Sequence, residues 1–417
     1  MGLNDTPSGN RIHIGFFGRR NAGKSSLVNA VTGQDTAVVS DMKGTTTDPV
    51  SKAMELLPLG PVMIVDTPGI DDEGELGKLR IQKTKQVLNR TDLAVLVVDG
   101  AEGMNTVDEE LIALFQANEV PYLIVFNKMD IGLAESVRNL LDKPHEEKAD
   151  RKEMLPTDAL IAVSALKQQN INELKERMAH FIKTDDGRFR IVADLIHPMD
   201  IIVLVIPVDE SAPKGRLILP QQQVIRDILE AGAVCVAVKD TELEETLKKL
   251  GQKPYMVITD SQAFARVSKE TPEDVLLTSF SILMARYKGY LDTAVRSVTV
   301  LDRIADGDRI LISEGCTHHR QCGDIGTVKL PNWICRYTGK KPQFTFTSGT
   351  GFPEDLSDFK LIIHCGACML HEREVRYRMK CAADQNIPFT NYGISIAYMN
   401  GILKRSVEML PELHSLL

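Results

Sequence analysis

Cysteine is missing from the first 234 residues of this 417-residue chain; the seven it has stand at 235, 316, 322, 335, 365, 368 and 381. A disulfide framework is thereby excluded from the first part. In the remainder an odd count in a reducing compartment points to metal chemistry or plain core thiols. No stretch reaches the roughly 18 to 20 uncharged apolar residues that a membrane-crossing helix needs. The first ten residues, MGLNDTPSGN, are polar and lack the apolar core of a signal peptide, so a cytoplasmic location without membrane attachment is expected. Basic excess is absent too: 49 Lys and Arg face 57 Asp and Glu, for a net charge of −8. A protein that lives on phosphate backbones normally carries a basic face, so nucleic acid is disfavoured as a partner. Low-complexity tracts and fixed-period repeats are also lacking. What is present is ordinary soluble composition, 43% hydrophobic and 25% charged, in a chain longer than one core usually supports.

From residue 11 to about residue 183, apolar runs alternate with helical stretches. The runs are IHIGFF, VMIVDT, LAVLVVDG, YLIVFN and LIAVSA. Continuous apolar runs of this length suit strands buried on both faces of a parallel sheet, with crossover helices between them. A turn-rich linker, KTDDGRF (183–189), precedes a second βαβ rhythm. It runs DIIVLVIPVD, LPQQQVIRDILEAG, AVCVAVK, TELEETLKKLG, YMVITD and SQAFARVSKE, with no glycine-rich phosphate loop. A third segment starts near Thr271–Pro272. It reads as two helices over SFSILMARYKGYLDTAVRSVTVL, then strands RILISEG, QFTFTSG and FKLIIHCG, then closing helices.

Residues 18–25, GRRNAGKS, fit G-x-x-x-x-G-K-[ST] between a strand and a helix pattern. Such a loop turns its backbone N–H groups toward phosphates; here Gly18, Asn21, Ala22, Gly23, Lys24, Ser25 and Ser26 form the cradle. Lys24 neutralises the β- and γ-phosphates, and Ser25 offers a hydroxyl to Mg²⁺. DTPG (66–69) ends a strand, with Asp66 toward Mg²⁺ and the Gly69 N–H toward the γ-phosphate. NKMD (127–130) ends another. There Asp130 can accept from the two donors of guanine, Asn127 bonds the other edge of the base, and the stem of Lys128 covers the ring. Ser164, Ala165 and Leu166 would supply a backbone N–H to guanine O6. Between these elements GTTTD (44–48) occupies a switch position, with Thr46 assigned to Mg²⁺ and Thr45 the alternative. Four motifs in this order indicate GTP and GDP as ligands. Lys24, Asn21, Thr46 and Gly69 are the candidates for hydrolysis.

This part resembles the translation-factor-like GTPases of the Era and tRNA-modification branch. Asn21 stands where potassium-activated members of that branch help hold a monovalent cation. No glutamine directly follows DTPG. The resemblance therefore implies slow hydrolysis, with K⁺ supplying charge where an arginine finger would otherwise act.

The third segment holds Cys316-Thr-His318 and His364-Cys365-Gly-Ala-Cys368, each at the carboxyl end of an apolar strand. Open α/β sheets place ligands at such ends. Two metal readings compete on chemistry: a Cys₃His structural zinc set, or a [4Fe–4S] cluster with one exchangeable iron. The domain set together with C-x-H…H-C-x-x-C resembles the HydF family, the maturation GTPases of [FeFe]-hydrogenase, over essentially the whole chain. That resemblance implies a [4Fe–4S] cluster on Cys316, Cys365 and Cys368. The fourth ligand would be labile, with His364 or His318 the motif candidates and Glu314 also within reach. It implies an α/β protein of three parts: a P-loop GTPase domain with a mostly parallel sheet (1–183), a βαβ-type dimerisation domain (190–272) and an α/β iron–sulfur domain (273–417). A homodimeric scaffold or carrier follows from it. Such a carrier receives a transient diiron precursor from two radical-enzyme maturases and hands it to apo-[FeFe]-hydrogenase. The competing reading is a ribosome- or tRNA-acting GTPase with a structural zinc domain, which the net charge disfavours.

Overall fold

The computed structural model describes residues 9, 11–33, 50–56, 59–69, 83–142, 159–182, 190–208, 217–315, 324–349 and 351–415. Thr45, Thr46, Cys316, His318 and Cys322 lie outside them. The chain divides into two compact units, Met1–Asp185 and Asp186–Leu417.

Six strands make the sheet of the first unit: β1 (Ile12–Phe17), β2 (Val50–Leu56), β3 (Gly60–Asp66), β4 (Leu93–Asp99), β5 (Tyr122–Asn127) and β6 (Leu160–Ala162). Their order is β2-β3-β1-β4-β5-β6, all parallel except β2. The apolar runs occupy its interior: every residue of β1 and β4 is buried. Such strands need cover on both faces, and the core accordingly splits into two clusters, around Ile14, Phe16 and Leu27 and around Phe17, Leu96 and Phe115. The edge strand β2 alternates exposed and half-buried residues. It has no continuous apolar run, which is why the sequence pattern does not announce it. Helix α1 (Lys24–Thr32) opens at Gly23, with φ 89°, and closes at Gly33, with φ 66°. Both are left-handed positions that glycine adopts without a Cβ penalty.

The second unit contains two four-stranded parallel sheets. One has β7 (Ile201–Val205), β8 (Val234–Val238), β9 (Met256–Thr259) and β10 (Leu276–Ser279) in the order β10-β9-β7-β8. The strand β10 is unforeseen in the sequence pattern, and it carries this sheet beyond residue 272. Four residues, too few to show a period, leave no signal distinct from the helix they precede. The other sheet has β11 (Arg309–Ser313), β12 (Gln343–Thr347), β13 (Leu361–His364) and β14 (Phe389–Asn391) in the order β12-β11-β13-β14. One apolar cluster joins them, running from Val203, Val257 and Leu277 to Ile310, Leu311, Ile362 and Ile363. Each fully buried side chain of that size contributes about 1.5–3 kcal/mol of transfer free energy. Helix α2 (Phe280–Tyr287) is capped by Ser279, whose Oγ accepts from the Ile282 amide at 3.2 Å. Helix α3 (Leu291–Ser297) follows it after a short turn. No helix among the described residues is long and apolar enough to cross a membrane.

Candidate functional site

The chain leaves β1 toward β3 on one side and β4 on the other, so the carboxyl end of β1 is a switch point where a crevice opens. The loop 18–23 fills that crevice. Gly18, with φ 140°, sits so close to the Val97 carbonyl that a Cβ would collide with it. Lys24 is buried, and its Nζ donates to the carbonyls of Gly18 (3.0 Å) and Arg19 (2.7 Å). Ser25 Oγ donates to Asp66 Oδ2 at 2.6 Å, while Asp66 Oδ1 is buried with no hydrogen-bond partner among the described residues. Burial raises the Asp66 carboxyl pKa, opposed by the Ser25 hydrogen bond and the Lys24 charge. A buried carboxylate with one open oxygen beside a hydroxyl is a hard-oxygen donor set that suits Mg²⁺. Gly69 abuts the P-loop: a Cβ there would lie 2.7 Å from Arg20 Cα. Asn21 is exposed, with φ 61°, and Ala22 is buried. Ser26 is half-buried on the first turn of α1.

At the end of β5, Asn127 has both amide atoms engaged within the protein. Its Nδ2 donates to Ala22 O at 3.1 Å, and its Oδ1 accepts from the Ala165 amide at 3.0 Å. Asn127 thus braces the phosphate loop against the 164–166 loop, and its Nδ2 carries a second N–H beyond the Ala22 contact, as bonding to the base would require. Asp130 is exposed, and its Oδ1 accepts from Ser164 Oγ at 2.6 Å. Lys128, with φ 66°, donates from Nζ to Asp99 Oδ2 at 2.6 Å, which fixes its aliphatic stem. Burial raises the Asp99 carboxyl pKa, but the Lys128 hydrogen bond and the Ala101 amide outweigh it and hold it below the usual range. Leu166 is 80% exposed at the rim. Asn127→Ala is expected to weaken GDP binding by about 30- to 100-fold, because two buried hydrogen bonds go and their partners stay behind. Isothermal titration with GDP measures it.

The third sheet repeats the topology. From β11 the chain goes to β12 on one side and later to β13 on the other, which makes the carboxyl ends of β11 and β13 a second switch point. Glu314 and Gly315 leave β11 there, and His364 to Cys368 leave β13. Cys365 and Cys368 are free thiols. Cys365 Sγ accepts from the amides of Gly315 (3.1 Å) and Ala367 (3.4 Å), and Ala367 takes φ 55° to aim its N–H inward. Burial pushes the Cys365 thiol pKa up. It pushes Cys368 up to about 11, helped by Cys365 and opposed by Lys288. Metal uptake by such thiols releases protons and strengthens with pH. Backbone N–H groups aimed at sulfur suit metal-bound thiolates. Among the described residues no group of three or more His, Cys, Asp or Glu is arranged around one metal ion.

His364 ends β13 directly beside Cys365. It is fully buried and stacks on Phe389, ring centroids 5.6 Å apart. Nδ1 lies 2.8 Å from the Cys365 carbonyl, which only accepts, so Nδ1 carries the proton. Nε2 then receives Arg378 Nη1 at 3.0 Å. Both nitrogens are engaged in this arrangement, so ligation of a cluster by His364 would require one of these contacts to break. Arg378 is itself fully buried. It donates to Glu374 Oε1 (2.8 Å), Ser313 Oγ (3.3 Å) and Gly349 O (2.6 Å), tying three segments to the strand ends. Burial, then the Arg378 charge, lower His364 from 6.5 to about 3. An unfolded histidine takes its proton below about pH 6.5 while folded His364 resists. The unfolded state therefore binds more protons in that window. Stability should fall as pH drops from about 6.5 toward 3, by at most about 1.4 kcal/mol per unit from this group. Urea unfolding of iron-free protein across that range measures the slope, which His364→Gln should flatten.

Several residues at these sites carry no sequence signal. Arg19 binds Glu102, Asp108 and the Gly103 carbonyl and so anchors the phosphate loop. Tyr392 donates to Glu314 Oε1 at 3.2 Å, with Glu314 only 5% exposed. Their partners lie 78 or more positions away in the Glu314 and Glu102 contacts, beyond any local pattern.

Comparison with known proteins follows these divisions. Residues 13–128 match the model of the 50S ribosome-binding GTPase family, a name that describes the proteins behind that model. Residues 191–289 match the hydrogen maturase F dimerization domain, and 292–409 its tetramerization domain. The GTPase Der of Sulfurimonas denitrificans is 34% identical over 173 residues, which are 41% of this chain and 34% of that protein. The GTPase Der of Campylobacter concisus is 36% identical over 167 residues, 39% of this chain and 35% of that protein. The chain thus spans about a third of the length of these curated relatives. Among solved structures, an Era variant of Aquifex aeolicus bound to GDP·AlF4⁻ is 22% identical with a TM-score of 0.36, covering 62% of this chain and 99% of that one. The likeness to Der covers the GTPase part alone, whereas two models peculiar to one maturase follow one another through the rest. On that ground the chain belongs to the hydrogen maturase F family, with a GTPase domain at its head.

Proposed function

We propose that this protein is a GTP-hydrolysing scaffold that accepts a diiron precursor from two radical-enzyme maturases and delivers it to apo-[FeFe]-hydrogenase. One observation carries the reading: a phosphate loop and a half-buried cysteine pair each occupy a switch point of a different, mostly parallel sheet, in a chain with both maturase domains.

In the GTPase domain Lys24 meets the β- and γ-phosphates, and Ser25 and Asp66 hold Mg²⁺ together with Thr46. Gly69 senses the γ-phosphate beside Arg20, and Asn21 helps to hold K⁺. Asp130 accepts from guanine while Ser164 orients it. With the Ala165 amide engaged to Asn127, the Leu166 N–H is the donor left for guanine O6. In the cysteine domain Cys365 and Cys368, together with Cys316, would hold a [4Fe–4S] cluster, with His364, His318 and Glu314 the candidates for the fourth position. When bound, such a cluster would supply an iron with an exchangeable coordination position, the chemistry needed to hold a ligand of the diiron cargo reversibly. Pairing with a second copy fits the edge strand β8, where Val234 is 38% exposed.

Anaerobic reconstitution with iron and sulfide, followed by metal analysis and low-temperature EPR, tests the reading. A reduced [4Fe–4S] signal that shifts on adding imidazole is expected. Stoichiometric zinc with no iron signal would overturn it.

A further inference from the structure

Arg19 directly follows Gly18 in the phosphate loop, and its guanidinium is engaged on the turn DGAEG (99–103) after β4 and on the helix beyond that turn. Nη2 donates to the Gly103 carbonyl at 2.8 Å, and Nη1 donates to Glu102 Oε2 at 3.2 Å. Nε forms an ion pair with Asp108 Oδ2 at 3.1 Å. Asp108 is fully buried in the first turn of the helix Thr106–Ala117, where the same oxygen accepts from the Asn105 amide at 3.1 Å. A planar fork with donors in fixed directions reaches all three partners at once, which a compact ammonium does not.

The turn gripped by Arg19 leads to the other half of the site. The Asp99 carbonyl accepts from the Gly103 amide at 2.9 Å, its Oδ1 from the Ala101 amide at 3.0 Å, and its Oδ2 from Lys128 Nζ at 2.6 Å. The Gly100 amide donates to the Asn127 carbonyl at 2.8 Å, which seats the turn on NKMD. At the opposite end the carbonyl of Arg19 itself accepts from Lys24 Nζ at 2.7 Å. The path from Lys24 through Arg19, Gly103 and Asp99 to Lys128 therefore consists of hydrogen bonds none longer than 2.9 Å. Its ends are the two lysines assigned to the phosphates and to the guanine ring. We propose that Arg19 is a positioning residue that couples the two halves of the nucleotide site, holding the phosphate loop in register with Lys128 through the 99–103 turn. The inference rests on the assignment of Lys24 and Lys128 to the nucleotide. Coupling through such a chain shows as non-additivity between substitutions at its two ends.

The test is a double-mutant cycle in the full-length protein, Arg19→Lys against Asp99→Ala, read as GDP affinity by isothermal titration and as turnover at saturating GTP. Lysine keeps a positive charge beside buried Asp108 but gives up the bond to the Gly103 carbonyl. Alanine at position 99 releases Lys128 and the Ala101 amide. Each single variant should bind GDP about tenfold more weakly, and the double variant about ten- to twentyfold rather than about a hundredfold. Asp99→Ala should also lower turnover at saturating GTP, although its contact is with the lysine of the base side. A role confined to base binding leaves that rate unchanged. A fully additive loss in the double variant would overturn the coupling, as would wild-type affinity in Arg19→Lys or unchanged turnover in Asp99→Ala. Where far-ultraviolet circular dichroism shows Arg19→Lys unfolded, the turnover of Asp99→Ala decides alone. Wild-type GDP affinity in Lys128→Ala would overturn the assignment of that lysine first and this inference with it, so the two failures are told apart by that arm.

Discussion

Lys24→Ala is expected to lose GTP hydrolysis by on the order of 10²–10³-fold or more, while its iron content after reconstitution stays at the wild-type level. The magnitude follows from removing a fixed charge aimed at a transferring phosphoryl group in a site shielded from water. Lys24 is 7% exposed and held by two carbonyls of its own loop, so its ammonium is placed before any phosphate arrives. Alanine also leaves the Gly18 and Arg19 carbonyls without that donor, which softens the loop and weakens nucleotide binding together with turnover. Phosphate release in potassium buffer reads the first effect, and iron analysis of the same sample reads the second. The cysteines lie in the other compact unit, so a joint loss of turnover and iron would refute the independence of the two sites.

Cys365→Ala and Cys368→Ala should each remove most of the iron, with the far-ultraviolet circular dichroism unchanged. The thiols sit on a loop beyond a buried strand, only Cys368 packs against the edge of an apolar cluster, and alanine there removes a metal donor at the cost of a single sulfur atom. Cys365 carries the larger expected effect, because its sulfur is the acceptor for both the Gly315 and Ala367 amides. Cys235→Ala and Cys381→Ala serve as controls. Cys235 is half-buried on the edge strand β8, and Cys381 packs against the large core from the helix Glu372–Asp384. Retention of full iron in Cys365→Ala and Cys368→Ala would place the metal elsewhere and leave a GTPase with an unassigned thiol pair.

The phosphate loop, DTPG, NKMD and the two cysteines at a strand end were determined by the sequence alone. Their chemistry depends on residue types a few positions apart, and covalent spacing carries such motifs into any fold that supplies a strand before them. The long buried strands were equally legible, since β1 and β4 must be apolar throughout to be covered on both faces. Tertiary structure decided which atoms remain available. Asn127 belongs to a nucleotide motif, yet its amide braces Ala22, 105 positions away. His364 belongs to a ligand motif, yet Arg378 takes its second nitrogen. Lys288 reads as one more solvated lysine until the packing of α2 carries it to the Leu370 carbonyl, 82 positions away. Spacing selects the residues that can do the chemistry. Long-range packing distributes lone pairs and buried charge among them, because a hydrogen-bond partner is set by which strands and helices meet, and no local pattern encodes that meeting.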